Sequence, residues 1–181
     1  RITSPETLDL CTMIYAGLVN KNIVAGFYKN GRTAAGLSGA DFGCIISEKR
    51  QHPTISYGMV GDVKHVNADI LAGFVEKNIV PVLCSITLSE DGELLNTNAD
   101  TIASELAKAM TEKFRVHLVY CFEKNGVLTD ITNEDSLLKT ITQKQFNEMK
   151  ETKQIADGMI PKLHNAFNVL FYGVEEVRII N

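Results

Sequence analysis

Apolar residues recur at helical spacing near the start of the chain, where Leu8, Met13, Ile14, Leu18 and Ile23 fall on one stripe. Ser4 followed by Pro5 supplies an N-cap and a first-turn proline, and Asn30-Gly31 supplies a stop, so the pattern predicts a helix over residues 4–30. Residues 33–37 read as a short apolar strand that runs into the glycine-rich stretch Gly36-Leu37-Ser38-Gly39-Ala40-Asp41-Phe42-Gly43. Residues 44–47 read as a strand, 49–53 as a turn, and 55–63 as extended chain carrying Gly58 and Gly61, together a hairpin excursion. An amphipathic helix capped by Asn67 covers 67–76. Residues 79–86 are continuously apolar, as in a strand buried on both faces of a parallel sheet, and Pro81 predicts a bulge or strand end there.

After a turn at Asp91-Gly92, a helix opens at Asn98 or Ala99 and runs to about residue 113, followed by a buried strand over 116–122. Lys124-Asn125-Gly126 turns the chain, 129–140 is polar and loop-like, 142–150 and 158–171 are helical, and 177–180 is a last strand. This alternation predicts an α/β fold, a three-layer αβα sandwich with a mainly parallel central sheet and right-handed crossovers. In such sheets ligands sit beyond the carboxyl ends of the strands, which directs attention to loops 36–43, 87–100 and 123–126.

Composition narrows the classes. The 181 residues suit one domain, and a net charge of −4 without a basic block excludes nucleic acid as the expected partner. Cys11, Cys44, Cys84 and Cys121 form no C-x-x-C pair and have apolar neighbours, so they read as buried free thiols. His52, His65, His117 and His164 lack ligand spacing, and no residue is singled out as a metal ligand. No apolar run reads as long enough to span a membrane, no signal peptide is visible, and the free thiols fit a reducing cytoplasm better than a disulfide framework. The chain opens at Arg1 without a methionine, so a preceding segment is expected.

Three stretches could carry chemistry. In Asn96-Thr97-Asn98-Ala99-Asp100, extended chain would point both asparagine amides the same way, toward a carboxylate or a backbone amide, with Asp100 in the first helical turn nearby. The same residues also suit a plain helix start, with Asn98 as N-cap and Asp100 favouring the dipole. In Asp157-Gly158-Met159-Ile160-Pro161-Lys162 a glycine precedes a helix whose first turns carry a lysine. Free N–H groups there attract phosphate, and a lysine would repel the dipole unless an anion were present, although a solvated surface lysine is the alternative. The stretch from Gly36 to Gly43 allows close backbone approach but matches neither a Walker A loop nor G-x-G-x-x-G, and a tight turn explains it equally.

Taken in order, Arg1-Ile2-Thr3, Ala16-Gly17-Leu18-Val19-Asn20-Lys21, Gly36-Leu37-Ser38-Gly39-Ala40-Asp41, Gly58-Met59-Val60-Gly61-Asp62-Val63, Leu95-Asn96-Thr97-Asn98-Ala99-Asp100 and Gly158-Met159-Ile160-Pro161-Lys162 resemble the acetylglutamate kinases of the amino-acid-kinase family. The resemblance implies the amino-acid-kinase, carbamate-kinase-like fold over residues 1–181 as a single domain. It implies transfer of the ATP γ-phosphoryl, with Mg²⁺, to the side-chain carboxylate of N-acetyl-L-glutamate in arginine biosynthesis. Arg1 falls on an arginine that grips a substrate carboxylate, Asn98 on a substrate-binding asparagine with Asn96 beside it, and Asp100 on an aspartate that organises catalytic lysines. Lys162 falls on the lysine that contacts the transferring phosphoryl. Glu123, Asn125, Gly126, Gly158, Met159 and Lys162 fall where the family holds the nucleotide, and the helix at residues 4–20 on the dimer-forming helix.

Departures accompany the likeness. The family's opening Lys-x-Gly-Gly strand and Gly-Gly-Gly loop would precede Arg1, and its final nucleotide-side segment would follow Asn181, so the 181-residue polypeptide alone is expected to be inactive. Glu123-Lys124-Asn125-Gly126 stands where the family commonly has Asp-Val-x-Gly. The alternatives are N-succinyl-L-glutamate or another amino-acid acceptor in the same family, and a non-catalytic ligand-sensing domain of the same fold. A dinucleotide-dependent oxidoreductase is disfavoured by the missing fingerprint. Because a carboxylate acceptor with a pKa of roughly 4 is already ionised, no general base is needed. Asp100→Asn should therefore lower turnover at every pH, measured as a pH–rate profile that keeps its wild-type shape.

Overall fold

Ser4 starts the first helix as its sequence requires. Its Oγ accepts from Thr7 N at 3.2 Å, and Pro5 fills the first turn, where the absent N–H would have had no intrahelical partner. In this computed structural model, which describes residues 2–122, 126–128, 133–152 and 159–181, the helix runs on as α1 (Pro5–Cys11), a π-helical stretch (Thr12–Val19) and α2 (Asn20–Lys29). The wider i→i+5 turns of the middle stretch shift the phase of the side chains. The stripe read from the sequence consequently faces outward for most of its length. Leu8 is buried, but Met13 and Leu18 are 64% and 62% exposed, and the inward residue of the second half is Asn20. By length and composition alone, Pro5–Lys29 is also apolar enough to cross a membrane, which corrects the expectation that no run reaches that length.

The chain divides into two compact units, Arg1–Ala109 and Met110–Asn181. In the first, β1 (Ala34–Leu37) and β4 (Val80–Leu83) pair in parallel, with Gly36 opposite Val82. Asn20, 2% exposed, ties α2 to both strands: its Nδ2 donates to Val82 O at 2.8 Å and to Leu37 O at 3.4 Å. Lys21 Nζ donates to Gly36 O at 3.0 Å and to Asn20 Oδ1 at 3.2 Å. A Cβ on Gly36 would collide with Asn20 Oδ1 and Lys21 Nζ, so this contact requires glycine.

The hairpin excursion becomes a small barrel. β2 (Ile45–Lys49) and β3 (Val60–Val66) pair antiparallel, with a register shift between Ile46 and Ser47. β5 (Ile86–Leu88) and β6 (Leu94–Thr97) close the barrel in the order β2-β3-β6-β5. Two expectations change here. The apolar run 79–86 is not one strand: it breaks at Cys84-Ser85, while Pro81 sits inside β4 opposite Ala35. The segment 87–100, read as a loop, contains β6. Burial explains both, because Ile45, Ile86 and Leu95 are fully enclosed and can be so only if the chain turns at Cys84-Ser85 into the barrel. Inside it, Thr87 Oγ1 and Thr97 Oγ1 satisfy one another at 2.8 Å. Asn67 caps α3 (Ala68–Glu76) through its Oδ1, which accepts from Ile70 N at 3.3 Å, and α4 (Ala99–Met110) follows β6 directly.

In the second unit β7 (His117–Cys121) and β8 (Glu176–Ile180) pair in parallel and in register. α5 (Gln143–Glu151) opens on a capping box between Thr142 and Gln145, and α6 (Met159–Phe171) packs its Met159 and Leu163 with Val127, Phe146 and Met149 in one buried cluster. Phe146 and Phe167 stack with centroids 5.4 Å apart. Outside the barrel, both described strand pairs are parallel, as strand–helix alternation requires.

Replacing the buried amide at the junction of α2 with β1 and β4 tests its weight. Asn20→Leu keeps the volume but removes the donor to Val82 O and Leu37 O and one acceptor of Lys21, and should lower the stability of the fold by about 1–3 kcal/mol in urea denaturation.

Candidate active site

The described part of the site is a cleft of about 680 Å³ in the first unit. Its floor is the end of β4 and the turn after it, from Val82 to Ser85. One wall is the helix, through Tyr15, Val19, Asn20 and Ile23; the opposite wall is β6 and the start of α4, from Asn96 to Ala99. Arg50 and Val60 of the hairpin complete it. A cleft at the carboxyl end of a parallel strand is where an α/β sheet is expected to hold its ligand.

Asn96 and Asn98 both line this cleft. Each amide also has a structural partner. Asn96 Nδ2 donates to Thr3 Oγ1 at 3.2 Å, and Asn96 N donates to Met59 O at 2.8 Å. Thr3 is 1% exposed and is held strand-like, with its N donating to Tyr57 O at 3.0 Å and its carbonyl accepting from Met59 N at 2.8 Å. Asn98 Oδ1 accepts from Thr101 N at 3.0 Å, so the N-cap reading is realised, and the amide nitrogen of Asn98 is the end left to address a ligand. Asp100 is half-buried in the first turn of α4.

Arg50 was not singled out from the sequence. Its Nε lies 3.1 Å from both Oδ1 and Oδ2 of Asp62, and its Nη2 lies 2.5 Å from Oδ1. The guanidinium also stands 5.6 Å from the centroid of Tyr57. The Asp62 hydrogen bonds outweigh desolvation and hold its pKa above the ordinary arginine value. No periodicity announces this residue, because the pairing crosses a hairpin.

The second unit holds the other predicted residues that are described. Lys162, the fourth residue of α6, is half-buried with Nζ 4.7 Å from the centroid of Tyr120 in β7. Met159 is buried at the start of α6. Gly126 has φ +144°, and a Cβ there would press on Leu137 Cδ1 at 2.9 Å and on Ile179 O at 3.3 Å. That position therefore has a backbone reason to be glycine whatever it binds. Arg1, Glu123, Asn125 and Gly158 lie outside the described residues.

The loop from Gly36 to Gly43 is ordered by Asp41, whose Oδ2 accepts from Ser38 N at 2.6 Å and Ser38 Oγ at 2.8 Å. Cys44 follows it, fully enclosed, with Sγ donating to Ser38 O at 3.3 Å.

Helices packed with parallel strand pairs, and a ligand-sized cleft at the end of one of them, define an α/β protein. The sequence profile of the amino acid kinase family matches residues 1–181, and the chain belongs to that family. It is 51% identical over 177 residues to the acetylglutamate kinase of Phocaeicola vulgatus, covering 98% of this chain and 69% of that one. The solved structure of smu.665 from Streptococcus mutans superposes with a TM-score of 0.85 at 30% identity, over 99% of this chain and 70% of the other. N-acetylglutamate synthase from Neisseria gonorrhoeae, solved with coenzyme A and N-acetylglutamate, shares the fold with a TM-score of 0.84 at 18% identity, over 100% of this chain and 40% of that one. The expected α/β class and amino-acid-kinase, carbamate-kinase-like fold are thus established.

Burial pushes the Cys44 thiol from the ordinary 9.0 up to about 11, with the Asp41 carboxylate adding to the shift. A thiol whose folded-state pKa is raised contributes stability that is intact below about 9 and lost as pH rises through about 11. Stability should fall across that window by up to roughly 2–3 kcal/mol. Urea midpoints measured from pH 7 to 11 should show this alkaline limb, and it should flatten in Cys44→Ala.

Proposed function

We infer that the full-length protein to which this chain belongs catalyses transfer of the ATP γ-phosphoryl to the side-chain carboxylate of N-acetyl-L-glutamate, giving N-acetyl-L-glutamyl 5-phosphate, a step of arginine biosynthesis. The observation that carries this is 51% identity to an acetylglutamate kinase over 98% of the chain. It is a kinase, and ATP is its donor. Mg²⁺ enters as MgATP, carried on the phosphates as part of the substrate. Residues 1–181 form one amino-acid-kinase domain in this reading, and the protein is cytoplasmic.

The chemistry needs little from the protein beyond placement. A carboxylate oxygen attacks the γ-phosphorus as the bond to the ADP oxygen breaks, and no proton has to be removed from the nucleophile. Catalysis is then alignment plus neutralisation of charge on the transferring group. We assign Asn96 and Asn98 to the acceptor, Lys162 to the phosphoryl group and Asp100 to the positioning of cationic side chains. Arg1 is assigned to a substrate carboxylate, and Glu123, Asn125, Gly126, Gly158 and Met159 to the nucleotide. The exposed stripe of Leu10, Met13 and Leu18 is assigned to a homodimer contact, since an apolar face of this kind on a water-soluble protein calls for a partner.

Hydroxylamine trapping of acyl phosphate by the full-length protein, with MgATP and N-acetylglutamate, tests the assignment beside N-succinylglutamate and free glutamate. Product with N-acetylglutamate is expected, and Lys162→Ala should cut kcat by roughly 10²–10³-fold, the cost of losing one charge-stabilising donor. Absence of product with every acid would favour the ligand-sensing alternative.

A further inference from the structure

Backbone electrostatics alone would place a lysine elsewhere than at position 162. Lys162 is the fourth residue of α6, so its charge lies at the positive end of the helix dipole. Two aromatic faces offset that repulsion. Its Nζ stands 4.7 Å from the ring centroid of Tyr120 and 5.9 Å from that of Phe122. Both distances fall within about 6 Å, the range over which the negative face of a ring attracts a cation.

The core beneath builds this seat. Tyr120 is 4% exposed in β7. Phe122, just past the end of that strand, packs against the buried cluster of Val127, Phe146, Met149, Met159 and Leu163. Phe122 N donates to Ile180 O at 2.7 Å, which fixes the chain where the ring departs. On α6, Met159 and Leu163 turn into the same cluster, and Lys162, three residues after Met159, falls at the edge of that face. The rings and the lysine therefore meet at the carboxyl end of a parallel strand, where an α/β sheet holds its ligand.

A ring face engages the charge of an ammonium and leaves its three N–H donors to other partners. We propose that Tyr120 and Phe122 are positioning residues for Lys162, their faces holding its ammonium in place for the transferring phosphoryl group before nucleotide arrives. This rests on the role assigned to Lys162 above and adds the means by which the charge is held. A charge fixed in advance needs no reorganisation at the moment of transfer, which is where electrostatic stabilisation gains most.

The test keeps the shape of the ring and changes its charge distribution. In the full-length protein, position 120 carries phenylalanine or its 4-fluoro, 3,5-difluoro or 3,4,5-trifluoro form, so the hydroxyl is absent throughout the series. With MgATP and N-acetylglutamate, kcat should fall stepwise with fluorination, by roughly 3- to 10-fold across the series, while KM for N-acetylglutamate stays within about two-fold. Phe122→Leu should lower kcat by a smaller factor, because its ring is farther from Nζ. A second readout is independent of turnover. The Hε protons of Lys162, assigned by their loss in Lys162→Arg, should be shifted upfield by ring currents in the nucleotide-free protein and relax toward ordinary lysine values in Tyr120→Leu. A ring that merely packs would give one kcat for the whole series, and that flat result would overturn the proposal. Ordinary Hε shifts for Lys162 in wild type would overturn it as well. Full activity in Lys162→Ala would remove the role of the lysine, and wild type that turns over no acid would remove the function; each takes the proposal with it and is distinct from a flat series in a working enzyme.

Discussion

The first unit is organised around one buried amide. Asn20 gives its Nδ2 to carbonyls on two different strands, and Lys21 caps the same corner from outside through Gly36 O. Parallel strands cannot be joined by a tight turn, so their mutual placement depends on what crosses over them. Here the crossing element is fixed by hydrogen bonds as well as by shape. A buried amide without partners would be costly, which makes this position of α2 far more specific than an apolar contact would be. The cleft inherits that specificity, since Val82 forms its floor while Asn20 and Ile23 stand in its wall.

The opposite wall is built by a different device. Asn96, Thr97 and Asn98 pass from the end of a barrel strand into the first turn of α4 without an intervening loop. Side chains on such a junction are held by the ladder on one side and the helix start on the other. Thr3 buttresses Asn96 from below, linking the beginning of the chain to this wall. Preorganisation of this kind suits a reaction in which the nucleophile needs no activation and geometry carries most of the rate.

Much of the local structure was legible. Ser4 and Asn67 announced helix starts, because capping is decided by neighbours three residues away. Alternation of strands and helices gave the α/β class, and Asn96 with Asn98 pointed to the cleft they line. What stayed hidden depended on distant partners. The outward turn of Met13 and Leu18 follows from π turns that periodicity at 3.6 residues cannot register. The split at Cys84-Ser85 and the strand Leu94–Thr97 follow from closing a barrel with residues far along the chain. Arg50 lines the cleft through a carboxylate that lies across a hairpin, a pairing that spacing alone does not mark. Arg1, Glu123, Asn125 and Gly158 fall outside the described residues, so the likeness to the family is what speaks for them.

The π-helical stretch also bears on chain length. Wide turns absorb residues that a regular helix would have to expel into a bulge or a loop, while the segments before and after keep their facing. Thr12–Val19 is therefore the place in this helix where an insertion or deletion changes the sequence without rotating Leu8 or Asn20 out of position. Alignments of homologous chains should tolerate a one-residue gap there.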